Sequence, residues 1–408
     1  MTSFDVAAVR ARFPSLNRPV DGGGLPVFFD NPAGTQVPQT VIDAISDYFI
    51  RMNANHGGAF PTSIQSDAMV YATREKLAAF LNAPSADEIV IGANMTTLNF
   101  ALSRAIARTL SPGDEIVLTR MDHDANVAPW LRIADDYGLV VRWVDIIEPA
   151  CMLDLDSLEA ALTDRTKVVA TVHASNAVGT INPVKQIAQM AHAAGALYVV
   201  DAVQSAPHIA IDVQDTGCDF LLCSSYKFFG PHAGILWGRY DLLAELPAYK
   251  VRPSEDKPPY RWETGTPAFE LIAGVGAAVD YLASLGGGTS RTAIVAGMDA
   301  IGAYERELVA HLIDVLRGID GVTISGITAP TRYHERVPTV VFHHDRCTPT
   351  EIASYLGRQH IYVWDGNYYA VEIMRRLGYE EHGLVRVGLA HYNTHGEIER
   401  LDAALKSL

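Results

Sequence analysis

The chain has 408 residues, 49% hydrophobic and 19% charged, a balance that excludes a disordered chain and allows a globular protein of two or three domains. A formal net charge of -15 argues against nucleic acid or an anionic membrane as partner, so an anionic substrate has to be captured by local basic groups. Four cysteines, Cys151, Cys218, Cys223 and Cys347, show no CxxC pair and no metal-ligand spacing; they read as free thiols of a reducing cytoplasm, with no metal site. The stretch Met1 to Pro14 has no apolar core of signal-peptide length, and the most apolar later stretch, Leu271 to Leu285, is interrupted by Asp280. The expectation is a cytoplasmic protein with no membrane partner.

In chain order, Phe4 to Phe13 has helical spacing, with Asp5 near its start and Pro14 ending it. Pro26 to Pro38 reads as a short strand and a turn-rich loop, Val41 to Met52 as an amphipathic helix, and Asn53 to Pro61 as a polar loop carrying His56. From Glu88 strands and helices alternate: Glu88 to Ala93, then Thr96 to Leu110; Glu115 to Arg120, then Val127 to Tyr137; Leu139 to Ile147, then Leu155 to Leu162; Lys167 to Ala174, then Val184 to Ala194. Such alternation predicts a mostly parallel sheet covered by helices on both faces.

The loops of this region carry polar groups suited to a ligand. Gly92 to Thr97 joins a strand to a helix, so the amides around Asn94, Met95 and Thr96 and the helix dipole suit a phosphate, while Asn94 also suits an N-cap. Asp122, His123 and Asp124 could suggest a metal, but neighbours in an extended segment point to opposite faces and no second ligand pair stands at the right spacing.

Two short apolar runs follow, Leu197 to Val200 ending in Asp201 and Cys218 to Cys223 ending in Ser224-Ser225-Tyr226-Lys227. Both read as buried parallel strands, whose C-terminal ends are where open α/β sheets bind ligands. With a strand ending at Trp237 the expected sheet has seven strands. A lysine at the end of a buried strand is costly to keep charged, so the interior lowers its pKa as an imine-forming lysine requires. A carboxylate opposite a pyridine nitrogen holds that nitrogen protonated, which is what makes pyridoxal phosphate (PLP) an electron sink.

Asp201-Ala-Val-Gln204 followed by Ser224-Ser-Tyr-Lys227-Phe-Phe-Gly230-Pro resembles the class V aminotransferase and cysteine desulfurase group of PLP enzymes, fold type I. The resemblance implies that Lys227 binds the cofactor aldehyde, Asp201 pairs with the pyridine nitrogen, Gln204 meets the ring hydroxyl and Ser224 the phosphate. It also implies that His123 stacks on the ring and shuttles protons, that the amides near Asn94, Met95 and Thr96 hold phosphate, and that Asn176 lies beside the cofactor hydroxyl and the substrate carboxylate. Glu263-Thr264-Gly265-Thr266-Pro267 is similar to the segment whose threonine, here Thr266, reaches the phosphate in the partner subunit, which implies a homodimer with shared active sites. His56 becomes a substrate-side candidate on the entrance loop.

From Ser290 the chain reads as a small α+β domain: a helix to Arg317, strands Val322 to Ile327 and Thr339 to His344, a helix Pro349 to Gln359 and a C-terminal helix after His395. The expected division is a large PLP-binding α/β domain, 17–262, and a small domain, 1–16 with 263–408. Leu384 to Thr394 matches the family segment whose arginine, here Arg386, clamps a substrate α-carboxylate, a task suited to the planar guanidinium.

The stretch Trp364 to Ala370 departs from the desulfurases, which carry a nucleophilic cysteine there; Tyr369 stands in its place as a substrate-side residue, and Tyr226 replaces the usual histidine before the lysine. The expectation is therefore a PLP enzyme acting at Cα or Cβ of a small amino acid, desulfurase-like or aminotransferase-like, without a persulfide relay. Epimerisation, β-elimination, and a binding scaffold whose catalysis has lapsed are the alternatives.

Overall fold

The protein is described by a computed structural model covering residues 4–408. The first three residues of the expected small-domain segment 1–16 lie outside the described residues. The central sheet has seven strands: β1 (Ile89–Gly92), β2 (Glu115–Thr119), β3 (Val140–Val144), β4 (Thr166–Val172), β5 (Leu197–Asp201), β6 (Phe220–Ser224) and β7 (Gly234–Gly238). Their spatial order is β1-β7-β6-β5-β4-β2-β3. Only β7 runs against its neighbours, pairing antiparallel with both β6 and β1. The turn between β6 and β7, Ser225 to Ala233, is too short for a helical crossover, which fixes that direction.

The strands β2, β6 and β7 are buried along their whole length, as expected for Val, Ile and Leu runs covered on both faces. The expected strand Leu139 to Ile147 is cut at Asp145. Val140–Val144 stays in the sheet, while Ile146–Ile147 pairs back on Met152–Leu153. Asp145 makes the break: its carboxylate accepts from the Ile146 N–H at 2.8 Å and pairs with Arg376 at 2.9 Å.

A helix that sequence reading passed over, Pro61–Leu81, starts with Pro at its first turn and ends at Asn82 in the left-handed region (φ 56°). Its buried positions, Ser63, Ser66, Val70, Thr73, Arg74 and Leu77, mix polar and apolar side chains, so no apolar stripe marks it. Arg74 donates to both carboxylate oxygens of Glu263, at 2.6 and 2.7 Å, and Glu263 in turn accepts from the Ile91 N–H at 3.1 Å. That pair ties the segment after the large sheet to β1.

The second sheet is antiparallel, in the order Val322–Ser325, Thr339–His344, Leu384–Gly388, Trp364–Gly366. Val27–Phe28 pairs in parallel with Ile361–Tyr362, and Asn31 donates to the carbonyls of Phe28 and Gly388 at 2.9 and 2.8 Å. The N-terminal segment thus stays with the small sheet beyond residue 16, as far as Asn31. The two sheets face each other across the C-terminal ends of β4, β5 and β6, where a deep cavity opens between them.

Candidate active site

The cavity encloses about 810 Å³. Asp201, the last residue of β5, and Lys227, just past β6, both line it because neighbouring parallel strands end at the same level. One Asp201 oxygen accepts from the Val203 N–H at 2.8 Å. Burial pushes the Asp201 carboxyl up to about 6, against the pull of that N–H and of Lys227. Lys227 donates to the Pro32 carbonyl and sits 4.7 Å from the centre of the Tyr226 ring. Burial, helped by the Arg386 charge and opposed by Asp201 and Asp30, pushes its amine down to about 7, so a large share is free base at neutral pH.

His123 lines the cavity beyond the end of β2. Its Nδ1 accepts from the Ala125 N–H at 2.9 Å, which leaves the proton on Nε2. Burial, with Lys227 and Arg386 adding to it, lowers the imidazole to about 4, so the ring is neutral. Beside it, Asp122 takes a hydrogen bond from Asn126 at 2.7 Å and shares a short one with Thr119. Burial first, then repulsion from Asp201, raises Asp122 well above the usual carboxylate range.

A third wall is the loop between β1 and the helix Met95–Ala107. Asn94 caps that helix, accepting from the Thr97 N–H at 2.8 Å, and the Met95 N–H donates to Ser224 Oγ at 3.1 Å. Gly234 of β7 passes so close that a Cβ there would lie 2.2 Å from the Asn94 carbonyl carbon. Only glycine lets the strand hold this loop in place. Thr96 and Gln204 also line the cavity, and Gln204 donates to Thr339 Oγ1 at 3.2 Å, reaching across to the small sheet.

The small sheet supplies the opposite wall. Arg386 on Leu384–Gly388 is 3% exposed, donates to the Asn176 carbonyl at 2.9 Å and lies 4.3 Å over the Tyr368 ring. Asn176 donates to the Tyr368 carbonyl at 3.0 Å. Burial lowers the guanidinium to about 10, which still leaves it charged at neutral pH. Neither Arg386 Nε nor Asn176 Oδ1 has a hydrogen-bond partner. The nearby Asp30 carboxylate acts on Arg386 without forming an ion pair, and a buried cation with an unfilled donor is a costly arrangement unless an anion completes it.

Two predicted residues are not brought to this cavity. His56 and Thr266 are exposed and do not line it. The His56 ring lies 6.4 Å from that of Phe269, three residues after Thr266 in the chain. Tyr369 does line the cavity, 70% exposed, its ring stacked at 5.7 Å on His123. Sequence reading missed Pro32, Asp30 and Tyr368. Pro32 packs against Gly388, where a Cβ would meet the Pro32 ring at 2.0 Å, a contact that no sequence pattern shows. Asp30 has a buried oxygen without a partner, and burial pushes its carboxyl up to about 6. Among the described residues no cysteine lines the cavity, and no group of three or more His, Cys, Asp or Glu side chains is disposed to hold a metal.

This donor set fits PLP. The cavity offers a lysine amine whose pKa burial lowers to about 7, a buried carboxylate on the neighbouring strand, a neutral imidazole, and helix-start amides beside a serine hydroxyl for a phosphate. The profile of the class-V aminotransferases matches residues 27–401. A cysteine desulfurase of Synechococcus elongatus is 36% identical over 99% of this chain, which spans 64% of that longer relative. A cysteine desulfurase of Serratia proteamaculans is 34% identical over 100% of this chain and 98% of its own. Among solved structures, the apo cysteine desulfurase of Thermococcus onnurineus superposes with a TM-score of 0.88 at 27% identity, covering 98% of this chain and 97% of that one. A fold type I core, a cavity at the strand ends and matches over nearly the whole length converge: the chain belongs to the class-V aminotransferase family of PLP-dependent enzymes.

Proposed function

We propose that this enzyme acts at Cα or Cβ of a small amino acid, in a desulfurase-like or aminotransferase-like reaction that does not relay sulfur through an enzyme persulfide. The observation that carries it is the composition of the cavity wall. The loop that faces His123 presents Asn367, Tyr368 and Tyr369, and the four cysteines stand elsewhere. Burial raises the thiols of Cys151, Cys218 and Cys223, which makes thiolate formation harder. Tyrosine oxygen cannot hold a persulfide.

When bound, PLP supplies a ring that drains the electron pair released at Cα. In this reading Lys227 is the cofactor lysine and afterwards the base that holds or moves a proton at Cα. Asp201 keeps the proton on the ring nitrogen, Gln204 meets the ring hydroxyl, and the neutral His123 covers the ring face. Ser224 and the amides of Met95 and Thr96 hold the phosphate. Arg386 clamps the substrate carboxylate with Asn176 beside it, which fills the guanidinium donor left open in the wall.

We also read the chain as a large domain, 17–262, whose first residues as far as Asn31 lie against the small sheet, and a small domain, 1–16 with 263–408, working as a homodimer in the cytoplasm. Phe49, Ile50, Phe60 and Ile64 are 50% exposed or more around the His56 loop, an apolar surface that a second copy would cover. His56 and Thr266 on that surface then complete the neighbour's cavity. Four free thiols fit a reducing compartment, and no helix among the described residues is long and apolar enough to cross a membrane.

Incubation with L-cysteine followed by intact-protein mass measurement tests the reading. No sulfur should be gained on the protein. Free sulfide with pyruvate indicates β-elimination, a keto acid that keeps the sulfur indicates transamination, and D-cysteine indicates epimerisation. A protein heavier by one sulfur, with alanine released in step, contradicts the proposal.

A further inference from the structure

The residue before Lys227 is one of the places where this chain departs from the desulfurases. In an extended strand neighbouring side chains point to opposite faces. Here Ser225–Lys227 forms one turn of 3-10 helix instead, and Tyr226 and Lys227 both line the cavity. Lys227 Nζ lies over the Tyr226 ring, 4.7 Å from its centre. Unlike Tyr369 at the rim, 70% exposed, Tyr226 is half-buried in the depth.

Three neighbours fix that ring. His232 stacks on it at 4.7 Å, the planes 12° apart, and Gly34 lies so close that a Cβ there would stand 3.3 Å from Tyr226 Cδ2. Thr35 donates its N–H and its hydroxyl to the Tyr226 carbonyl, at 3.0 and 3.2 Å. The same short segment supplies the Pro32 carbonyl that takes the Lys227 amine. Ring and amine are thus placed against each other by one turn of chain, Pro32 to Thr35.

The Tyr226 hydroxyl has no hydrogen bond among the described residues, and burial, with Asp201 adding to it, raises its pKa, so the phenol is neutral at neutral pH. An imidazole in this place could take up a proton near pH 7, and a neutral phenol cannot. What Tyr226 offers the lysine is the negative face of an aromatic ring, which favours an ammonium over a free amine. From the other walls Asp201 and Asp30 also favour the ammonium, Arg386 opposes it, and His123 is neutral.

We propose that Tyr226 is the positioning residue for Lys227: its ring face holds the ammonium form of the amine beside the Pro32 carbonyl whenever the lysine is not joined to the cofactor. A proton that Nζ takes from Cα then stays on Nζ until it is delivered, a task with no histidine beside the lysine to share it. This rests on the reading of Lys227 as the cofactor lysine and base.

The test uses the full-length protein freed of PLP, as parent, Tyr226→Phe and Tyr226→Leu, each treated with an amine reagent across pH and read at Lys227 by peptide mapping. Tyr226→Phe keeps the ring face and should hold the midpoint within about 0.3 pH unit of the parent. Tyr226→Leu loses it, and the midpoint should fall by about one pH unit, a tenfold change in proton affinity. A site merely loosened would admit water and raise the midpoint, so the direction separates the ring face from packing. Tyr226→Met, which fills the gap flexibly, takes the place of the leucine variant if that protein no longer binds PLP. A midpoint that stays or rises when the ring is removed overturns the proposal, and an equal fall in Tyr226→Phe overturns it in favour of the hydroxyl. Borohydride reduction of the same proteins reloaded with PLP keeps the two readings apart. Label on another lysine ends the reading of Lys227 as the cofactor lysine, whereas label on Lys227 with unmoved midpoints ends this proposal alone.

Discussion

Asp201, Ser224 and His123 stand at or just beyond the ends of buried strands, whereas Trp364 is exposed on the short strand Trp364–Gly366 and Asn367, Tyr369 and Glu381 sit on exposed connections beside it. In the first region charge states are set by burial. Lys227 is driven down to about 7, His123 down to about 4 and Asp201 up to about 6, all with desolvation as the largest cause. In the second, the side chains meet water. The rigid half can fix a cofactor, and the rim can change substrate or reaction without disturbing the core.

The contrast breaks first at the lysine. Lys227→Ala should reduce turnover by about 10³-fold or more, within the range of losing a positioned acid-base group, whereas Tyr369→Phe should change it by less than about tenfold, since a ring face is retained. Steady-state kinetics on the two variants decide the matter, and similar losses in both would erase the distinction between depth and rim. Arg386→Lys should weaken amino-acid binding by about 10- to 100-fold with PLP still bound, because a two-pronged donor is lost and buried partners are left open. Its readout is a binding titration, and unchanged affinity would remove Arg386 from substrate capture.

A smaller effect is expected at the surface that carries His56. Ile50, 78% exposed, changed to Asp should shift the protein toward monomer in analytical ultracentrifugation and lower activity at low concentration. A variant that stays the same size as the parent speaks against that face. The mildest prediction concerns pH. Since Lys227 is held at about 7, its modification by an amine reagent in the apoenzyme should rise through a midpoint near pH 7. Asp201 acts to raise that value, so Asp201→Asn should move the midpoint lower. A midpoint near the ordinary lysine value of 10.5 would mean the amine is not desolvated.

The depth of the site was legible because its signal is local: an acid and a lysine each terminate a short apolar run, and the runs are parallel neighbours in the sheet. The alternation from Glu88 likewise announced the seven strands. What escaped the sequence depends on long-range packing. The buried face of the helix Pro61–Leu81 includes the polar Ser63, Ser66 and Thr73, which hide the helical stripe. Pro32 and Tyr368 reach the cavity through partners far along the chain, the Lys227 amine and the Arg386 guanidinium. Asp145 breaks its strand through an ion pair with Arg376, which no local pattern shows. His56 and Thr266 were matched to a site that this chain alone does not bring them to.

The central claim is that Lys227 holds the cofactor, and it is tested most directly by borohydride reduction of the purified holoenzyme followed by peptide mapping. The account predicts a single pyridoxyl label on the peptide that contains Ser225-Tyr226-Lys227. A label on any other lysine, or none on a protein that contains PLP, would contradict it.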